Sequence, residues 1–171
     1  MISKFKPSWM FQDIYHVSPE FLAGNHIKYI LTDLDNTLIP WNQSDGSAKL
    51  ADWLREMKKY GIKVIVVSNN SYSRISQALT DYDVAFVSRA LKPLTFGINR
   101  AINQYSLSRK ETVMIGDQLL TDVFSANNSG VNSILVKPLV NNDGWTTWFN
   151  RFLERFVFQL LKKKYSDIHW Q

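Results

Sequence analysis

Alternating strand-like and helix-like segments predict one α/β domain spanning residues 1–171, a doubly wound, Rossmann-like parallel sheet with helices on both faces. Three observations carry that expectation. Five short runs are rich in β-branched residues, as buried strands are. The segments between them repeat apolar residues at helical spacing. The chain has 171 residues, 45% of them hydrophobic and 20% charged, which suits one domain with a full core and argues against disorder.

The expected strands are Lys28–Asp33, Lys63–Ser68, Val84–Ser88, Thr112–Ile115 and Asn132–Val136. After the first lies a segment with Leu50, Trp53, Leu54 and Met57 on one helical face, ending at Gly61, a residue favoured just past helix ends. Segments 71–82, 93–105 and 118–130 have the same character, the second opened by Pro93, which is tolerated in a first helical turn. Strands that alternate with helices run parallel and are covered on both faces. Ligands of such folds sit at the carboxyl ends of the strands, so the chemistry is sought there.

The first strand ends in Asp33-Leu34-Asp35-Asn36-Thr37. Two carboxylates at the end of an apolar strand are costly to bury without a task, although a turn with solvated acids is an ordinary alternative. The second strand ends in Ser68-Asn69-Asn70, a helix cap by composition and also a set of groups suited to phosphate. Lys92 follows the third strand, and Gly116-Asp117 with Asp122 follows the fourth. Singly, Lys92 reads as a surface charge and the two acids as a cap and an exposed helix residue. Their order at four successive strand ends is what points to catalysis.

On these residues the chain resembles the haloacid dehalogenase superfamily. Its motifs, D-x-D-x-T, then Ser or Thr, then Lys, then G-D-x-x-x-x-D, are met by Asp33, Asp35, Thr37, Ser68, Lys92, Asp117 and Asp122. The resemblance implies a phosphatase in which Asp33 attacks phosphorus to form an aspartyl phosphate and Asp35 serves as general acid and then general base. It implies Mg²⁺ held by Asp33, the backbone carbonyl of Asp35 and Asp117, supported by Asp122. Thr37, Ser68, Asn69 and Lys92 would bind the phosphoryl group, and Lys92 would also restrain Asp33. The acid at Asp35 favours phosphate-ester hydrolysis over carbon–halogen cleavage. The closer likeness is to the YqeG-like branch, related to phosphatidylglycerophosphate phosphatases.

Only 30 residues separate Thr37 from Ser68 and 23 separate Ser68 from Lys92, so no cap domain fits. An open site implies a large or membrane-borne phosphate ester, or a second copy of the chain over the site. Trp41 is expected at the site rim or in ordinary packing. A basic amphipathic helix is expected over about 145–164, with Trp145, Trp148, Phe149, Phe152, Phe156, Leu160 and Leu161 near one face and Phe158 on another. The same segment holds Arg151, Arg155, Lys162, Lys163 and Lys164 against Glu154 alone, +4 of the net +5. It reads either as a helix packed on the core or a dimer, or as one lying on an anionic membrane surface.

There is no cysteine and no run of 18 apolar residues, which excludes disulfides and a bilayer-spanning helix. A cytoplasmic enzyme, peripheral at the inner membrane face, is expected. The catalytic region lacks a basic stripe, which disfavours nucleic acid. A phosphatase for soluble phosphomonoesters is the alternative enzyme. A receiver-like or partner-binding module is the alternative class, but a receiver would carry its phosphorylated Asp where this chain has Ser88. His16, His26 and His169 have no ligand spacing.

Overall fold

The computed structural model describes residues 2–43, 47–140 and 148–171, with side chains in the last stretch described from 153 onward. Six parallel strands form one sheet: β1 Trp9–Phe11, β2 Tyr29–Thr32, β3 Lys63–Val67, β4 Ala85–Val87, β5 Thr112–Gly116 and β6 Asn132–Val136. Their order is β1-β6-β5-β2-β3-β4. From β2 the chain winds outward through β3 and β4, then returns to β5 on the other side, so the topological switch lies between β2 and β5. Crevices at such points are where doubly wound folds place ligands. Thr32 at the end of β2 is level with Val66 of β3 and Ile115 of β5, so the three exits stand side by side.

The helices are α1 Pro19–Gly24, α2 Ala48–Lys59, α3 Tyr72–Ala78, α4 Phe96–Gln104, α5 Phe124–Ser129 and α6 Trp148–Lys164. Ser18, Ser47 and Ser71 cap α1, α2 and α3 by accepting the backbone N–H three residues on, which satisfies donors that a helix start leaves open. Alternate β2 residues enter opposite layers. Ile30 packs in the cluster with Leu50, Trp53 and Met57 of α2, and Leu31 in the cluster with Ile98, Ala101 and Ala126 of α4 and α5. Burial on both faces is what a parallel sheet of continuous apolar strands requires.

Three local features depart from the sequence reading. Edge strand β1 was not expected; three residues give too little pattern, and it is specified by pairing with β6 (Trp9 with Ile134). Helix α4 starts at Phe96, not Pro93, because Leu94 N–H donates to Leu91 O (2.8 Å) and a separate turn closes first. The helix expected over 118–130 opens as a π-helical turn, Leu119–Val123, before α5, a widening that recurs at functional sites.

The helix expected at about 145–164 is α6. Trp145 lies outside the described residues, as do the side chains of Trp148, Phe149, Arg151 and Phe152. From there on, the inward stripe is Glu154 and Leu161, both buried, with the partly buried Val157 and Phe158, an i, i+3, i+4, i+7 set. It packs with Met10, Leu119, Val123 and Leu135, and Phe158 meets the Trp170 ring at 6.2 Å. Phe156 and Leu160 face outward instead. Apolarity alone selects the wrong edge of the stripe because one inward position is an acid, whose Oε1 accepts Leu120 N–H at 3.2 Å. No helix among the described residues is long and apolar enough to cross a membrane.

Candidate active site

Asp33 follows β2 directly and its N–H donates to Ile115 O of β5 (3.0 Å). The chain then turns sharply. Asn36 adopts φ 61°, a conformation that asparagine tolerates better than most residues, and its N–H donates to Ile39 O (2.7 Å) while its Oδ1 accepts Trp41 N–H (3.3 Å). This hairpin seats Leu34, Leu38 and Ile39 in the core and leaves the carboxylates of Asp33 and Asp35 at the sheet edge, 13% and 29% exposed.

Lys92 is buried. Its Nζ lies 2.7 Å from Asp122 Oδ1 and 3.0 Å from Asp33 Oδ1, so the surface-charge reading does not hold. Asn69 positions it: the Asn69 amide donates to Lys92 O (2.9 Å) and accepts Lys92 N–H (2.8 Å). Asn69 therefore spends its side chain on the lysine loop. Burial would drive the Lys92 ammonium toward neutrality, but the charges of Asp122 and Asp33 more than offset this and hold its pKa above the ordinary lysine value. Burial pushes Asp122 up to about 6 against the pull of Lys92.

Asp122 comes from the π-helical turn and its Oδ2 accepts Gln118 N–H (3.1 Å). Its approach needs Gly116, where a Cβ would stand 2.2 Å from the Asp122 carboxyl carbon. Asp117 is buried and its Oδ1 accepts the Thr37 hydroxyl (3.3 Å). Asp33, Asp117 and Asp122 each offer an oxygen, all within 4.8 Å of one another. Three hard oxygen donors, partly neutralised by one ammonium, fit a divalent cation such as Mg²⁺. The Asp35 carboxylate is outside this cluster.

Asp35 is held from the other side. Arg74 Nη2 donates to its Oδ1 (2.8 Å) and to Gln43 O (2.9 Å), and Asn70 Nδ2 donates to its Oδ2 (2.7 Å). Ser68 is buried and its Oγ accepts from Asn70 N (3.3 Å) and Asn70 Nδ2 (3.2 Å), which leaves its own proton to donate. Asn70 is read from the sequence only as part of the Ser68-Asn69-Asn70 strand end and Arg74 is not read at all; that both hold Asp35 has no signal in the sequence beyond their following the second strand. The site thus gathers Asp33, Asp35, Thr37, Ser68, Lys92, Asp117 and Asp122 at one sheet edge. Trp41 is exposed beside it.

Residues 30–90 match the family model of haloacid dehalogenase-like hydrolases and residues 89–146 the one described as HAD-hydrolase-like. The chain is 41% identical over 172 residues to Probable phosphatase YqeG of Bacillus subtilis (strain 168), covering 100% of this chain and 99% of that protein. Among solved structures, an uncharacterized protein of Listeria monocytogenes serotype 4b aligns with a TM-score of 0.53 at 16% identity, over 80% of this chain and 99% of that one. The cobalt-bound deoxy-D-mannose-octulosonate 8-phosphate phosphatase of Haemophilus influenzae aligns with a TM-score of 0.50 at 16% identity, over 81% and 91%. At these identities the two structures speak to the fold.

Proposed function

The chain belongs to the haloacid dehalogenase-like hydrolases, and from that premise we propose that it is a Mg²⁺-dependent phosphomonoester phosphatase acting through a phosphoryl group carried on Asp33. The observation that carries this reading is the convergence of Asp33, Asp117 and Asp122 around the buried Lys92 ammonium, beside a separately held Asp35.

In the first half-reaction an Asp33 carboxylate oxygen attacks phosphorus while the bond from phosphorus to the ester oxygen breaks. Asp35 passes a proton to the leaving oxygen. In the second, a water oxygen attacks the same phosphorus, its proton passes to Asp35, and the bond to Asp33 breaks to release phosphate. This pairs nucleophilic with general acid–base catalysis on two neighbouring carboxylates. Lys92 orients Asp33 and places positive charge beside the phosphoryl oxygens. Ser68 has a proton to donate to them, and Thr37 fixes Asp117. Asp33, Asp117, Asp122 and the backbone carbonyl of Asp35 would hold the Mg²⁺, which supplies positive charge against the phosphoryl oxygens.

The uncapped sheet edge supports a large or membrane-borne phosphomonoester, such as phosphatidylglycerophosphate, as the substrate class. The test is a panel of phosphomonoesters assayed with and without Mg²⁺, including that lipid and p-nitrophenyl phosphate. Hydrolysis should require Mg²⁺ and disappear in Asp33→Asn. Asp35→Asn should slow it by about 10²–10⁴-fold, the usual worth of a positioned acid–base group. Undiminished turnover by purified Asp33→Asn would overturn the reading.

A further inference from the structure

The large apolar side chains that the protein leaves in solvent are not spread evenly. Of the eight exposed ones among the described residues, five (Trp41, Tyr72, Leu91, Leu94 and Phe96) lie in the segments that follow β2, β3 and β4. In a parallel sheet these segments share the edge that holds the candidate active site. The remaining three are Tyr60, at the opposite end of α2, and Phe156 and Leu160 on α6.

The segments after β3 and β4 are stitched into one surface. Ala90 N–H donates to Ser68 O (3.0 Å), Arg89 N–H donates to Asn70 O (2.9 Å), and the reciprocal Asn69–Lys92 pair closes the seam. Leu91 has φ 57°, a costly conformation for leucine, and it stands 54% exposed while the next residue, Lys92, turns inward. Leu94 and Phe96 are 63% and 53% exposed. Together with Arg100 they border an open hollow of about 930 Å³. Solvating such side chains together at one rim is unfavourable, and clustered exposure marks an interaction surface.

The segments after β3 and β4 that form this rim carry charge of one sign. Residues 57–80 and 84–110 contain no aspartate or glutamate, while Arg89 and Arg100 lie exposed among the apolar residues. Apolar side chains interleaved with arginine, in segments that carry no carboxylate of their own, describe a surface complementary to anionic lipid, while the acids of the neighbouring site are held by Lys92 and Arg74. A protein partner of low charge would not need the arginines, and a second copy would oppose them to one another.

We propose that the rim formed by Tyr72, Leu91, Leu94 and Phe96, with Arg89 and Arg100, docks the enzyme on anionic bilayers and so holds the open site against the headgroup layer. This moves the membrane contact from the basic C-terminal helix to the catalytic edge. The docking rests on the rim alone; its benefit to catalysis rests on the phosphatase reading above.

The test is co-sedimentation of the full chain with vesicles of phosphatidylglycerol and phosphatidylcholine, against phosphatidylcholine alone, with no substrate present. The wild-type protein should bind the anionic vesicles. Leu94→Ser/Phe96→Ser and Arg89→Gln/Arg100→Gln should each weaken binding by about ten-fold or more, while hydrolysis of p-nitrophenyl phosphate stays near wild type. Phe156→Ser/Leu160→Ser on α6 should bind as wild type does. Wild-type protein that ignores anionic vesicles at low salt would overturn the proposal. So would binding lost only with the α6 pair, or light scattering that shows the Leu94/Phe96 pair dissociating a dimer that does not bind vesicles. Vesicle binding by a protein with no activity on any phosphate ester would sustain the docking and sink the phosphatase reading instead.

Discussion

Lys92 joins stability to chemistry, because one buried ammonium answers two carboxylates that the fold has also taken from water. Breaking a buried pair by removing one partner leaves uncompensated charge, at a cost of about 3–5 kcal/mol. Lys92→Ala should therefore lower the urea midpoint in the absence of Mg²⁺ and also remove activity; unchanged unfolding would show that Asp122 is neutral in the fold. Gly116→Ala tests the same triangle from the backbone. Its new Cβ would displace the Asp122 carboxylate, so both Mg²⁺-induced thermal stabilisation and turnover should fall sharply, while the circular dichroism of the sheet stays native. The motif residues were legible in the sequence through their order along successive strand ends and the family pattern they meet, not singly, since Lys92 and Asp122 alone read as ordinary surface charges. The hold of Asn70 and Arg74 on Asp35 was not legible, since those bonds reach across 35 and 39 residues and the two look locally like ordinary polar residues at a helix start.

At the scale of elements, the last helix shows where pattern reading stops. Its apolar residues predicted an amphipathic helix, and α6 is one, but the buried stripe includes Glu154, which satisfies Leu120 N–H at the π-helical turn beside Asp122. A buried acid is invisible to a hydrophobic pattern, which places Phe156 on one face with Leu161 although Phe156 is 58% exposed and Leu161 is buried. Leu161→Ala should accordingly cost about 2–5 kcal/mol, as for other buried leucines, and Phe156→Ala much less; equal effects in thermal unfolding would contradict this packing. Removal of the segment after residue 143 should destabilise the fold, since Met10, Leu119, Val123 and Leu135 would lose their cover. The five expected strand signals were legible as apolar, β-branched runs, which the sheet buries most fully in β2, β5 and β6 and only partly in the short edge strand β4. The three-residue β1 was not, because its identity comes from its partner β6.

Across the whole molecule, winding outward from β2 in both directions brings acids from β2 and β5 and a lysine from β4 to one crevice. No sequence neighbour connects them, and the fold supplies the convergence. The central claim is that Asp33 carries the phosphoryl group, and trapping that species tests it most directly. Asp35→Asn should still accept phosphoryl from p-nitrophenyl phosphate, whose leaving group needs little protonation, yet lack the base that activates water. After incubation with Mg²⁺ and that ester, acid quenching and peptide mass spectrometry should find one phosphoryl group on Asp33, absent in Asp33→Asn. A turning-over enzyme with Asp33 unmodified, or with the phosphoryl group on Ser68, would contradict the account.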